Sequence, residues 1–335
     1  MTTNAQPLLK LSSFNLTWST NWDDVFGASR PLILEIGFGM GHYLRHLHHR
    51  YPDHNIIGLE ITSLCLFKAE RAIIREGMYN VRVVMSRAET ALHHLFTPES
   101  LSQVYINYPD PWFKTRHSGR RLIQRDTVDA IVNRLTPGGM VYLATDILAY
   151  AEMSHEVLSQ TPGLTNTLKT RWVSEMAGRI VTKYEKKART EGRPSYYFAY
   201  QRNDTSAPDV PVIKELAMPH IVFHTPLDLD AMFDHSTADS SATDYQEGET
   251  RVNMMNVYRN ADAILFEVYV HEATIDQRVG VVLTPRPHAN EYTLKLSALG
   301  NPRPTEGLHK AVGLLGERLL ALHPDTRVIH DKVKR

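Results

Sequence analysis

The stretch Leu34 to Leu44, LEIGFGMGHYL, reads as a strand that ends in three closely spaced glycines and runs straight into a helix. Glycine lets the backbone turn sharply and lets a ligand approach where a Cβ would clash. The spacing is G-x-G-x-G (Gly37, Gly39, Gly41), not the G-x-G-x-x-G that seats a pyrophosphate on a helix N-terminus. Working outward, short β-rich runs alternate with longer helical ones from Pro31 to about Arg202. The expected strands are 32–39, 55–61, 81–86, 103–108 and 140–146, with helices over 41–51, 64–76, 89–96 and 121–135. Two later runs, 164–173 and 195–202, complete one sheet edge. Such alternation specifies an α/β fold, a mostly parallel sheet with helices on both faces.

Glu35 stands two residues ahead of Gly37, and Glu60 ends the second strand. A nucleoside ligand with an ammonium and no phosphate suits an acid beside the turn, and a carboxylate at the second strand end can accept from both ribose hydroxyls. S-adenosylmethionine has that chemistry. A ligand-free β–α turn is the plainer reading of the glycines alone, and Glu60 weighs against it.

The fourth strand leads into NYPDPWFKTRHSGRR (Asn107 to Arg121), at the carboxyl edge where open α/β sheets bind ligands. Flanking prolines stiffen the loop. Asp110 then offers a carboxylate between Tyr108 and Trp112, a set suited to stacking a purine and accepting its amino or imino protons. Lys114, Arg116, His117, Arg120 and Arg121 follow as candidate phosphate contacts. A third segment, TKYEKKARTEGR (Thr182 to Arg193), reads as a basic loop for an RNA backbone, with Lys183, Lys186 and Lys187 on phosphates and Glu185 either accepting guanine amino protons or orienting Lys183. Asp146, ending the fifth strand, is either a second guanine-edge carboxylate or the N-cap of the next helix.

Composition bounds the rest. The chain has 335 residues, enough for two domains, and one cysteine, Cys65, which excludes an intramolecular disulfide and a CxxC metal site. No long apolar run suggests a membrane span, the opening MTTNAQPLLKLSS does not read as a secretory signal, and a cytoplasmic setting is expected. Net charge is zero, but residues 1–204 carry 24 Lys and Arg against 19 Asp and Glu, and residues 205–335 carry 13 against 18. A local basic face, not the total, decides polyanion binding. His42, His46, His48 and His49 crowd one helix, and the 42/46 pair has zinc spacing, yet no third ligand stands at a recognised distance. A solvated helix face and no metal is the expectation. His93, His94 and Cys65 read as packing or surface residues.

The motifs together resemble the bacterial tRNA (guanine-N7)-methyltransferase family. The resemblance rests on EIGFGMG, GLEI, YPDPWFKTRHSGRRLIQ, ATD (Ala144 to Asp146) and TKYE with its basic tail, and spans about residues 30–202. It implies a Rossmann-like class I S-adenosylmethionine-dependent methyltransferase domain over 1–204, acting on a variable-loop guanine of tRNA, position 46. It also implies donor-pocket roles for Glu35, Glu60 and Asp110, with Asp110 catalytic, and substrate contacts for Lys114, Asp146, Thr182, Lys183, Tyr184 and Glu185. Two positions depart. Arg87 precedes Ala88, at the donor-adenine position, where the family has Asp or Asn before the Ala; an Arg can stack on adenine but cannot accept its amino protons. Phe113 stands where His is frequent. Two other readings compete: a degenerate donor pocket serving as an RNA-binding module, and a methyltransferase of the same fold acting on another RNA or a nucleoside.

Beyond the polar, proline-bearing stretch NDTSAPDVP, runs at 219–227, 251–259, 264–272, 279–286 and 291–299 read as strands, with a helix over 306–322. A small α+β domain over 205–335 is expected, with an acidic, Ser/Thr-rich loop between Asp228 and Thr250. Its acidic balance fits RNA mimicry, a protein partner or solubility alike.

Overall fold

The computed structural model describes residues 9–112, 121–238 and 244–335, without the side chains of Lys183, Tyr184 and Lys187. Contacts divide the chain into two compact units, Met1–Pro211 and Val212–Arg335. The segment after Asn203 runs with the first unit: Asn133 donates to the Pro208 carbonyl (2.9 Å) and His93 bonds the Pro211 carbonyl (2.8 Å).

The first unit is an eight-stranded sheet. In chain order its elements are β1 (Lys10–Ser12), α1 (Trp22–Phe26), β2 (Leu32–Ile36), α2 (His42–Arg50), β3 (Asn55–Glu60), α3 (Ser63–Glu76), β4 (Val81–Met85), α4 (Ala88–His94), β5 (Leu101–Asn107), α5 (Arg125–Arg134), β6 (Leu135–Thr145), α6 (Leu148–Ser159), β7 (Leu164–Asn166), α7 (Lys183–Thr190) and β8 (Tyr196–Arg202). The strand order is β1-β4-β3-β2-β5-β6-β8-β7. β1 to β6 pair in parallel, and β8 and β7 close one edge antiparallel. Alternation explains the two layers. Leu34 and Ile36 pack with α4, α5 and α6, while Ile33 packs with Tyr43, Leu44 and Leu47 of α2 and with α3. Glu35, two residues past Ile33, therefore points to the α2 face. Gly58 of β3 lets that layer close: a Cβ there would stand 2.6 Å from Phe38 and 2.8 Å from Leu44. Neighbouring β2 and β5 send their connections to opposite sides, to β3 and to β6, which opens the crevice at the carboxyl ends of β2 and β5.

The second unit is a seven-stranded antiparallel sheet, order β10-β11-β12-β13-β14-β9-β15, built from β9 (His220–His224), α8 (Leu229–Ala238), β10 (Tyr245–Glu247), β11 (Thr250–Arg259), β12 (Ile264–Glu272), β13 (Ile275–Pro285), β14 (Glu291–Leu296), α9 (Glu306–Leu320) and β15 (Arg327–Asp331). Helix α9 buries Leu308, Val312, Leu315 and Leu319, at helical spacing, against Phe223, Phe266 and Leu294. The expected loop between Asp228 and Thr250 is corrected: it holds α8 and β10. Asp228 caps α8 by accepting from the Ala231 amide (2.8 Å), and Leu229 and Met232 are buried.

Candidate functional site

Local chemistry places the first cluster. Gly37, Gly39 and Gly41 all have positive φ, so the chain after β2 doubles back onto β3. The Gly37 amide donates to the Leu59 carbonyl (2.8 Å), and a Cβ on Gly37 would enter space with no atom within 4 Å. Glu60 ties the turn together. Its carboxylate accepts from the amides of Gly39 (3.1 Å), Ile61 (2.8 Å) and Thr62 (3.0 Å). The next strand end joins it, since the Ser86 amide donates to the Glu60 carbonyl (3.2 Å). Arg87 then precedes the buried Ala88 at the start of α4, and its guanidinium lies 3.6 Å from Glu89.

Glu35 is 1% exposed, and only one of its oxygens has a partner: Oε1 accepts from Asn107 Nδ2 (3.2 Å), while Oε2 is buried without one. Burial pushes its pKa up to about 8, against the opposing pull of the Asn107 hydrogen bond and the Arg179 charge, with Glu60 adding repulsion. Asn107 in turn accepts from Arg179, whose guanidinium lies over the rings of Tyr43 (4.9 Å) and Tyr197 (5.1 Å). Sequence reading assigned nothing to Asn107 or Arg179. Asn107 was findable as the last residue of its strand beside the motif; Arg179 lies in no motif, and only tertiary packing brings it there.

The cleft above this cluster is lined by Glu35, Gly37, Phe38, Met40, His42, Tyr43, Asn107, Tyr108 and Thr182. It brings together the first motif, the end of β5 and the start of α7. The Tyr108–Trp112 loop beside it is backbone-strained: Tyr108 (φ 53) and Trp112 (φ 42) flank Pro109-Asp110-Pro111 in the left-handed region. Packing holds this shape. The Tyr108 amide donates to the Ala144 carbonyl (2.8 Å), its hydroxyl bonds Ser195 (3.1 Å), and Arg121 donates to the carbonyls of Pro111 (3.2 Å) and Trp112 (3.3 Å). Arg121 thus braces the loop, a correction to its expected phosphate role. Asp110 is exposed at the loop's tip. Lys114, Arg116, His117 and Arg120 lie outside the described residues.

Asp146 does not cap α6; it pairs with Arg193, and the Ile147 amide instead meets the Thr145 hydroxyl (3.3 Å). The expected loop at Thr182 to Arg193 is likewise corrected to helix α7, started by a capping box. The Glu185 amide donates to the Thr182 hydroxyl (3.2 Å), and the Thr182 amide donates to the Glu185 carboxylate (3.4 Å). Glu185 is buried and also accepts from Arg189 (2.6 Å), so its carboxylate holds the start of the helix. The side chains of Lys183 and Tyr184 lie outside the described residues. Among the described residues, no group of three His, Cys, Asp or Glu is arranged to hold a metal ion.

Comparison with known proteins decides the family. Residues 29–198 match the model of a family described as a putative methyltransferase. A tRNA (guanine-N(7)-)-methyltransferase of Burkholderia vietnamiensis is 41% identical over 167 residues, which is 50% of this chain and 65% of that protein's length. A protein of the same name from Pseudomonas syringae is 35% identical over 185 residues, 55% of this chain and 76% of its own. One from Thermus thermophilus is 30% identical over 304 residues, 91% of this chain and 94% of its own. This chain belongs to the tRNA (guanine-N(7)-)-methyltransferase family. Because 304 aligned residues exceed the length of Met1–Pro211, the likeness to the Thermus member runs into the second unit. The sequence motifs, which stop near residue 202, did not reach that far.

Proposed function

We propose that this chain transfers the methyl group of S-adenosylmethionine to N7 of a guanine in tRNA, in a cytoplasmic setting, with variable-loop position 46 as the target implied by the resemblance. The observation that carries the reading is the buried, unpartnered Oε2 of Glu35 at a Gly37–Gly39 turn anchored by Glu60. A buried carboxylate oxygen without a donor is costly unless a cationic or hydrogen-bonding ligand completes it. The ammonium of the donor's amino-acid end fits that oxygen, and its ribose hydroxyls fit the Glu60 carboxylate.

When bound, the donor supplies a methyl made electrophilic by its sulfonium. Guanine N7 carries a free lone pair at neutral pH, so no residue here has to remove a proton before attack. The chain's work is positioning and electrostatics. The strained Tyr108–Trp112 loop presents Asp110 toward solvent beside the cleft, where its carboxylate can hold the guanine amino and imino edge and favour the positive charge that grows on the ring. Asp146, oriented by Arg193, is a second acceptor at the end of β6. Arg87 is paired with Glu89, so it offers adenine a stacking plane and no acceptor. An intact Glu35–Glu60 pair argues against a degenerate pocket. Equilibrium titration with S-adenosylmethionine tests this: Glu35→Gln is expected to weaken donor binding by about tenfold or more, on the scale of a charged hydrogen bond. Equal affinity would remove Glu35 from the donor site.

A further inference from the structure

The histidine-rich helix α2 has an outer face that, His42 apart, does not line the donor cleft. Its outer face forms one wall of a groove of about 620 Å³, with His42, Arg45, His46 and His49 on α2 and Lys186 on α7 opposite. The bond between His46 Nε2 and the Gly178 carbonyl (2.9 Å) fixes the wall between them. Among the described lining residues Glu76 is the one acid, and it is already taken by Arg45 (2.6 Å) and Arg75 (2.7 Å), which hold its carboxyl down at about 2. The remaining lining therefore offers N–H donors and positive charge, with Ile180 and Val181 as half-exposed apolar surface between them. His42 lines both this groove and the donor cleft, so the two adjoin at that side chain.

We infer that this groove carries the tRNA phosphate backbone into the methyl-transfer cleft, with His42, His49 and Lys186 meeting phosphates and Ile180 and Val181 underlying a ribose or base. The inference rests on the tRNA reading above. Phosphate contact requires donors without competing carboxylates, and the groove supplies them next to the cleft, with His42 common to both. Arg45 is spent on Glu76 and serves to neutralise the wall.

The test is tRNA affinity and its salt dependence for His49→Glu, Lys186→Glu and the double variant, with S-adenosylmethionine binding measured on each preparation. Each single change is expected to weaken tRNA binding by about threefold or more, the pair by about tenfold or more, with a shallower salt slope. Lys186→Arg should restore the Lys186 contribution, and donor affinity should hold. Should the double variant lose donor binding, the singles at these two exposed positions carry the test. Wild-type protein that binds and methylates tRNA while His49→Glu is indistinguishable from it would overturn the groove. Wild-type protein that neither binds nor methylates tRNA would overturn the functional reading beneath it.

Discussion

Glu35 shows what one residue's environment does. Its carboxyl is pushed up to about 8 by burial, so the folded protein keeps it protonated where the unfolded chain ionises near 4.5. The folded state therefore binds the extra proton between those values, and stability from this group falls as pH rises from about 4.5 to about 8. Chemical denaturation of the donor-free protein across that window should show the decline, and Glu35→Gln should flatten it; an unchanged profile would mean Glu35 ionises freely. Seating an ammonium on Oε2 favours the ionised form, so donor binding near pH 7 should release a proton in wild type and none from this site in Glu35→Gln. Calorimetry in two buffers of different ionisation heat reads this directly. Arg87 gives a second residue-scale test. Arg87→Asn supplies an acceptor for adenine and is expected to tighten S-adenosylmethionine binding by about 1 kcal/mol; weaker binding would show that the guanidinium itself stacks on the base. Asp110→Ala is expected to lower turnover by about 100-fold or more, and undiminished turnover of tRNA would exclude it from the mechanism. The positions of Glu35, Glu60 and the stiff Pro109-Asp110-Pro111 loop were legible because each sits at a strand end close to glycine or proline, whereas the left-handed backbone at Tyr108 and Trp112 was not. Arg179 was not, because its position depends on how a segment without a pattern folds back over Tyr43.

Elements add what single residues do not. The strands and the helices of the first unit follow from short continuous apolar runs set against 3.6-residue periodicity, since β2 and β3 are buried along their length and α2 and α3 are amphipathic. Helix α7 was missed although its signal was present: Thr182-x-x-Glu185 is a capping box, but the basic residues after it read as a solvated loop. A different bias, the density of Ser, Thr and Asp, concealed α8, whose buried Leu229 and Met232 are spaced for a helix. Thr182→Ala should cost α7 about 1 kcal/mol, seen as faster hydrogen exchange over 183–190 with global unfolding little changed. If exchange there is unaffected, the capping box does not hold the helix. Because Thr182 lines the donor cleft, this change should also weaken tRNA turnover more than it weakens the fold.

At the scale of the molecule, the two units have separate cores, one built around a mostly parallel sheet and one around an antiparallel sheet under α9. A chain ending at Pro211 is expected to fold and bind S-adenosylmethionine; an insoluble or donor-blind product would mean that residues beyond Pro211 complete the first core. Charge differs between the halves and was readable at once, whereas the kinship of the second unit with the Thermus protein emerged only from alignment over most of the chain. The most direct measurement is methyl transfer from S-adenosylmethionine to unmodified bulk tRNA by the full chain, with nuclease digestion and identification of the modified nucleoside. N7-methylguanosine is the expected result, formed far more slowly by Asp110→Ala and, at limiting S-adenosylmethionine, by Glu35→Gln. Tight tRNA binding with no methylated nucleoside, or methyl groups on a base atom other than guanine N7, would contradict it.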